Sequence, residues 1–152
     1  MADVAIHTLG PSDIATMRGM LAMFGDAFED PESYRTAQPD DAYLARLLGA
    51  DTFIALAAVA DDEVVGGIAG YVLDKFEQAR REVYLYDLAV AESHRRRGIA
   101  TALIARLQHV AADRGAYVIF VQADHGDDPA IALYEKIGAR EDVLHFDIDV
   151  PG

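Results

Sequence analysis

Apolar and polar positions along the chain follow two periods, and the switches between them mark out the elements. Val4 to Leu9 alternates as a short strand. Gly10-Pro11-Ser12-Asp13 stops it and caps a helix to about Phe24, in which Ile14, Met17, Leu21 and Phe24 recur at helical spacing. Residues 25–41 are turn-rich and acidic, with Asp26, Glu29, Asp30, Glu32, Asp40 and Asp41 against a lone Arg35. A short helix follows from about Asp41 to Leu48. Thr52 to Ala60 and Val64 to Leu73 read as strands, and Asp61-Asp62 between them predicts a β-hairpin. Glu82 to Val90 is a further strand, with Val83, Leu85, Asp87 and Ala89 expected on one face. Ile99 to about Arg114 is a helix with the stripe Ile99, Leu103, Leu107 and Val110, stopped at Gly115. Tyr117 to Ala123 is a nearly continuous apolar strand, the pattern of a strand covered on both faces. Asp128 to Ile137 is a short helix with Pro129 in its first turn and Gly138 at its end. Val143 to Val150 reads as a last strand. The order β-α-α-β-β-β-α-β-α-β predicts an α+β (mixed α/β) fold around a mixed sheet.

Composition narrows the class. The chain has 152 residues, 52% of them apolar and 26% charged, which predicts one globular domain over residues 1–152. Its uncharged apolar runs, Thr52 to Ala60 among them, fall far short of the roughly 20 residues that span a bilayer. The opening MADVAIHTLG carries neither a basic n-region nor a long apolar core, so no signal peptide is read there. Cysteine is absent, which removes disulfides, thiol nucleophiles and thiolate zinc sites, and a cytoplasmic location is expected. No clustering of His and carboxylates suggests a metal.

Charge adds the first functional clue. A net charge of −13 repels nucleic acid and anionic membranes and attracts cations, although acidity alone also serves solubility. Against that background His94-Arg95-Arg96-Arg97 is a basic knot, followed by Gly98-Ile99-Ala100-Thr101 at the start of a helix. A helix start presents free N–H groups and a partial positive charge to an anion, Gly98 lets the backbone approach it, and arginines add bidentate donors. GxxxxGK[ST] and GxGxxG are both absent, which removes a P-loop and a dinucleotide fingerprint. On the residues alone, an exposed basic helix start with no ligand is the simpler reading.

Arg95-x-x-Gly98-x-Ala100, directly after Tyr84-Leu85-Tyr86-Asp87-Leu88-Ala89-Val90, resembles the coenzyme A pyrophosphate loop of the GNAT superfamily of N-acetyltransferases. Ala130-Ile131-Ala132-Leu133-Tyr134-Glu135-Lys136-Ile137-Gly138 is similar to another segment of that family. Asp127 stands where the family often has an Asn that reaches the pantetheine arm, and Ala139 where it often has Phe. A narrower resemblance covers essentially the whole chain. Thr52 to Ala58, Tyr84 to Val90, Gly115 to Ile119, Val121-Gln122-Ala123-Asp124, Gly126-Asp127-Asp128-Pro129-Ala130 and His145-Phe146-Asp147-Ile148-Asp149 look like the type I aminoglycoside 3-N-acetyltransferases, the gentamicin acetyltransferases. The resemblance implies a mostly antiparallel mixed sheet flanked by helices, and acetyl-CoA as donor with coenzyme A as product. It further implies transfer to the 3-amino group of the 2-deoxystreptamine ring, antibiotic resistance, and a homodimer. An acidic protein suits such a polycationic substrate.

Amine acetylation needs a base for the ammonium, polarisation of the thioester carbonyl and a proton for the leaving thiolate. Asp87 is the candidate base, with a structural or substrate-anchoring carboxylate as the equal alternative. Asp124 is the second candidate base and also a candidate for binding sugar ammonium groups. Asp127 and Asp128 precede a helix, so one is expected to cap it; Asp127 is further assigned to the coenzyme site and Asp128 to the substrate. Tyr134 matches the family's proton donor to the coenzyme A sulfur, although its spacing also suits a core aromatic. By resemblance, Leu88, Ala89 and Val90 line the coenzyme with Arg95, Arg96, Arg97, Gly98, Ile99, Ala100 and Thr101, and the Val90 N–H holds the thioester oxygen. Glu29 and Asp30 are candidate contacts to the antibiotic, or solvated loop residues. His145 is read as packing. The rivals are a GNAT enzyme for another amine (a polyamine, peptide or amino-acid derivative) and a non-catalytic acetyl-CoA-binding module.

Overall fold

A computed structural model describes residues 3–152. They form two compact units, residues 3–122 and Ala123–Gly152. The first holds β1 (Ala5–Thr8), α1 (Ile14–Ala27), a π-helical turn (Glu32–Thr36), α2 (Asp41–Gly49), β2 (Phe53–Ala60), β3 (Glu63–Asp74), β4 (Arg81–Val90), a 3₁₀ turn (Glu92–His94), α3 (Ile99–Asp113) and β5 (Ala116–Val121). The second holds α4 (Asp128–Glu135).

Five strands make one sheet in the order β1-β2-β3-β4-β5. The first four are antiparallel neighbours and β5 runs parallel to β4, so the expected mixed, mostly antiparallel α+β architecture is present. Asp61 and Asp62 adopt φ of 50° and 63°, the left-handed pair of a two-residue hairpin turn. Asp13 accepts the Gly10 N–H at 2.7 Å before α1, and Asp40 caps α2 by accepting the Tyr43 N–H at 2.9 Å.

Adjacent glycines on β3 bring a helix close to each face of the sheet. A Cβ at Gly67 would lie 2.5 Å from Met20 Sδ of α1, and one at Gly66 would lie 3.1 Å from Ile99 Cγ2 of α3. On the α1 face Met17, Met20, Met23 and Phe24 pack with Leu44 and Leu48 of α2 and Phe53, Ala55 and Ala57 of β2. Ile99, Leu103, Ile104, Leu107 and Ala111 are the buried stripe of α3. No helix among the described residues is long and apolar enough to cross a membrane.

Three expectations are corrected. Val83, Leu85, Asp87 and Ala89 do not share a face: the register slips between Ala69 and Gly70, pairing Ala69 with Asp87 but Gly70 with Leu85. This bulge inverts the alternation, so Ala89 packs on the α1 cluster while Val83 and Leu85 are buried on the other side. The strand read as covered on both faces is the edge strand β5, where Tyr117 and Val118 are exposed. The last strand, Val143 to Val150, has no ladder and is irregular. Alternation gives it two faces, but a strand needs a hydrogen-bonded neighbour, and Leu144, Phe146 and Ile148 are exposed.

Within the second unit, Asp127 caps α4 by accepting the Ala130 N–H at 3.4 Å, and the Tyr134 carbonyl accepts the Gly138 N–H at 2.9 Å. Arg140 then pairs with Glu135 and Asp142.

Candidate active site

The site begins where two strands part. The β4–β5 ladder ends at Leu85↔Val121, while β4 runs on to Val90 against β3. Residues 86–90 therefore present an edge that β5 does not pair. The Ala91 N–H donates to the Val65 carbonyl at 2.8 Å, and the alternation of an antiparallel ladder turns the N–H groups of Leu88 and Val90 the other way, to that open edge. Ala89 points its backbone to β3 instead.

The basic knot follows. Arg95 donates from Nε to the Val90 carbonyl at 3.1 Å, so this guanidinium is tied to the end of β4. Arg95, Arg96, Arg97 and Gly98 are exposed. Arg96 and Gly98 have φ of 64° and 77°, a double left-handed excursion that lets the chain turn sharply into α3. No side chain caps α3, and its first hydrogen-bonded amide is Ala102, donating to the Gly98 carbonyl at 3.0 Å. The N–H groups of Ile99, Ala100 and Thr101 are the free donors of the helix start. A Cβ placed on Gly98 would meet no atom within 4 Å, so the space above this turn is open. An uncapped helix start, three arginines and a bare strand edge fit a coenzyme that carries a pyrophosphate and an amide-bearing arm.

On the α1 face of β4 stands Asp87, half-buried. The bulge brings Tyr86 and Asp87 toward one side. Tyr86 meets Tyr71 of β3 edge-on with ring centroids 5.5 Å apart and Tyr84 at 5.6 Å, and Tyr84 stacks on Phe120 of β5 at 4.6 Å. Tyr34 of the π-helical turn donates its hydroxyl to Asp87 Oδ2 at 2.8 Å. Burial pushes the Asp87 carboxyl above the ordinary range, and the Tyr34 hydrogen bond pulls it partly back. Burial also raises the hydroxyls of Tyr34, Tyr71 and Tyr84, and the nearby Asp87 charge reinforces each shift. The result is a carboxylate walled by protonated phenols.

Of the other first-unit candidates, Glu29 follows the end of α1 with φ of 54° and is exposed. Asp30 accepts the Ser33 N–H at 3.2 Å and supports the π-helical turn. Asp124, Asp127, Asp128 and Tyr134 lie in the second unit. Of the two residues expected to include the cap, Asp127 is the one that caps α4, and Asp128 occupies its first turn. Burial, with the Asp127 charge adding to it, pushes the Tyr134 hydroxyl up to about 12. Sequence reasoning missed Tyr34, Tyr71, Tyr84 and Tyr86. The alternation Tyr84-x-Tyr86 was open to view, whereas nothing near Tyr34 in sequence signals a partner at position 87.

The Acetyltransferase (GNAT) family pattern matches residues 18–139. The fold superposes on an aminoglycoside acetyltransferase, HMB0005, from an uncultured soil metagenomic sample, with a TM-score of 0.96 and 58% identity over 98% of this chain and 99% of that one. Another aminoglycoside acetyltransferase from such a sample, meta-AAC0020 in complex with sisomicin, gives a TM-score of 0.88 and 29% identity over 97% of each chain. The N-alpha-acetyltransferase of Saccharolobus solfataricus is 33% identical over 91 residues, 55% of this chain, and the match spans about half that relative's length, 54%. The chain belongs to the GNAT family of acetyltransferases, enzymes that use acetyl-CoA.

Proposed function

We propose that this protein acetylates an aminoglycoside on the 3-amino group of its 2-deoxystreptamine ring, with gentamicin as a substrate, and so confers resistance. The observation that carries the reading is the end-to-end likeness to an aminoglycoside acetyltransferase at 58% identity. The acidic chain and the Asp87 site support a polycationic amine as acceptor. The 3-amino position rests on the type I sequence resemblance, as do a homodimeric and cytoplasmic protein.

Acetyl-CoA brings an acetyl group on a thioester, a carbonyl reactive toward free amines. In this reading the free N–H groups at Ile99, Ala100 and Thr101 and the arginines 95–97 hold its phosphates, and the Leu88 and Val90 amides hold its arm and thioester oxygen. Asp87 takes the proton from the substrate ammonium. A carboxyl raised by burial is a better base than one in water, which suits this task. The amine nitrogen then bonds to the acetyl carbon, and the carbon–sulfur bond breaks as Tyr134 gives its hydroxyl proton to the sulfur. The second proton shed by the acylated nitrogen returns through solvent to the tyrosinate, leaving a neutral amide, a free thiol and the first proton on Asp87. A phenol held at about 12 is fully protonated at neutral pH, as a donor must be. Asp124 and Asp128 are proposed to bind further ammonium groups, with Glu29 and Asp30 at the acidic turn.

The test is free-thiol release from acetyl-CoA with gentamicin, spermidine and a lysine peptide side by side. Release with gentamicin alone, one added acetyl group by mass spectrometry and NMR assignment to the 3-amino nitrogen are expected. The likeness to an N-alpha-acetyltransferase favours a peptide amine as the second reading; release with an N-terminal peptide and none with gentamicin would establish it.

A further inference from the structure

The sequence between α1 and α2 reads as a solvated acidic loop, yet it carries one aromatic residue into the sheet. Tyr34 is half-buried and is fixed from several directions. Its ring meets Phe24 edge-on at 6.0 Å and Phe28 at 5.5 Å. Gly25 lets the turn lie against α1, since a Cβ there would come within 3.2 Å of Tyr34 Cβ. The Tyr34 carbonyl accepts Gln38 Nε2 at 2.9 Å, Gln38 Oε1 accepts Arg18 at 2.9 Å, and Arg18 is held by Asp41. A π-helical turn is a costly local geometry that tends to occur at functional sites. Here it aims one hydroxyl at Asp87, 53 residues away in sequence.

We propose that Tyr34 is the positioning residue of the acetyltransferase base, its hydroxyl holding Oδ2 of Asp87 so that Oδ1 faces the acceptor amine. The inference rests on Asp87 being the base. Among the described residues Tyr34 is the one side chain hydrogen-bonded to this carboxylate. The other titratable groups that face it are Tyr71 from β3 and Tyr84 and Tyr86 from β4, and Asp30 lies near Tyr34. None of these is a cation, so the Tyr34 hydroxyl is the group that stabilises the ionised base. It also sets where the second lone-pair oxygen points, because a carboxylate anchored at one oxygen has lost its rotation.

The experiment follows the Asp87 carboxyl by NMR in protein labelled with ¹³C-aspartate, with Asp87→Asn identifying its resonance, alongside pH profiles of kcat/KM. In Tyr34→Phe the titration midpoint should rise by about one pH unit, the worth of a hydrogen bond to a charged group. The acid limb should move with it, a loss of about tenfold in kcat/KM at any pH below the limb. Fluorotyrosine at position 34, a stronger donor, should move both the opposite way, which no loss of folding imitates. If Asp87→Asn abolishes turnover but neither substitution at position 34 moves the midpoint, the positioning role is overturned and the base stands. If Asp87→Asn keeps wild-type turnover, the base reading falls and this inference with it.

Discussion

Asp87 stands half out of water, with phenols around it and no cation among its described partners. Its carboxyl is raised in the folded protein above the 3.8 of an unfolded chain. Between those values the native state keeps a proton that the unfolded state has released, so this residue's contribution to stability is full below 3.8 and lost as pH rises through the folded value. Asp87→Asn should therefore raise Tm at pH 7 while lowering kcat/KM by about a hundredfold or more, and thermal melts near pH 3 should show the gain in Tm gone. Tyr134→Phe should lower kcat by about tenfold to a hundredfold and leave the calorimetric affinity for acetyl-CoA unchanged. At Gly98 the demand is on the backbone. A side chain at φ of 77° costs about 1–2 kcal/mol, so in Gly98→Ala the turn relaxes and acetyl-CoA affinity should weaken about tenfold by calorimetry. Asp87, Tyr134 and Gly98 could be proposed from the sequence because each sits at a fixed offset within a local motif. Tyr34 was not, because its partner is distant in the chain and its own neighbours are an acidic loop.

At the scale of elements, hydrophobic period located α1 to α4 and β1 to β5 to within a few residues, and the Asp61-Asp62 turn fell where the pattern put it. Period failed at the β4 bulge, because one extra residue reverses inside and outside without changing composition. It failed again at 143–150, where alternation without a partner strand is only an amphipathic ribbon. The Gly66-Gly67 pair shows what composition hides: two residues with no side chain set the distance of two helices from one sheet. Gly67→Ala would drive a Cβ against the fully buried Met20 and within 3.1 Å of the Leu56 carbonyl. A loss of about 1–3 kcal/mol is expected, read as a Tm lower by roughly 3–10 °C, with acetyl-CoA affinity of the folded protein retained.

The whole molecule carries −13 charges, yet three of its 13 basic residues stand side by side at Arg95, Arg96 and Arg97. In the proposed reaction both substrates are charged with opposite signs, so a general acidic field and a local basic patch divide the work. Raising salt from about 20 to 300 mM shortens the Debye length from roughly 20 Å to below 10 Å. The KM for gentamicin should rise several-fold over that range with kcat unchanged, as steady-state kinetics at fixed pH would show. The spatial order of strands repeats their order in the chain, with a two-residue turn joining β2 to β3 and residues 75–80 joining β3 to β4. Such local pairing folds fast, because little chain entropy is spent on closing loops. Both Tyr34 and Asp87 have been synthesised by residue 90, before the arginine loop leaves the ribosome. The Tyr34–Asp87 side of the proposed site is thus expected to fold before the proposed coenzyme loop, with β2 to β4 the slowest amides to exchange and the β5 edge the first to open.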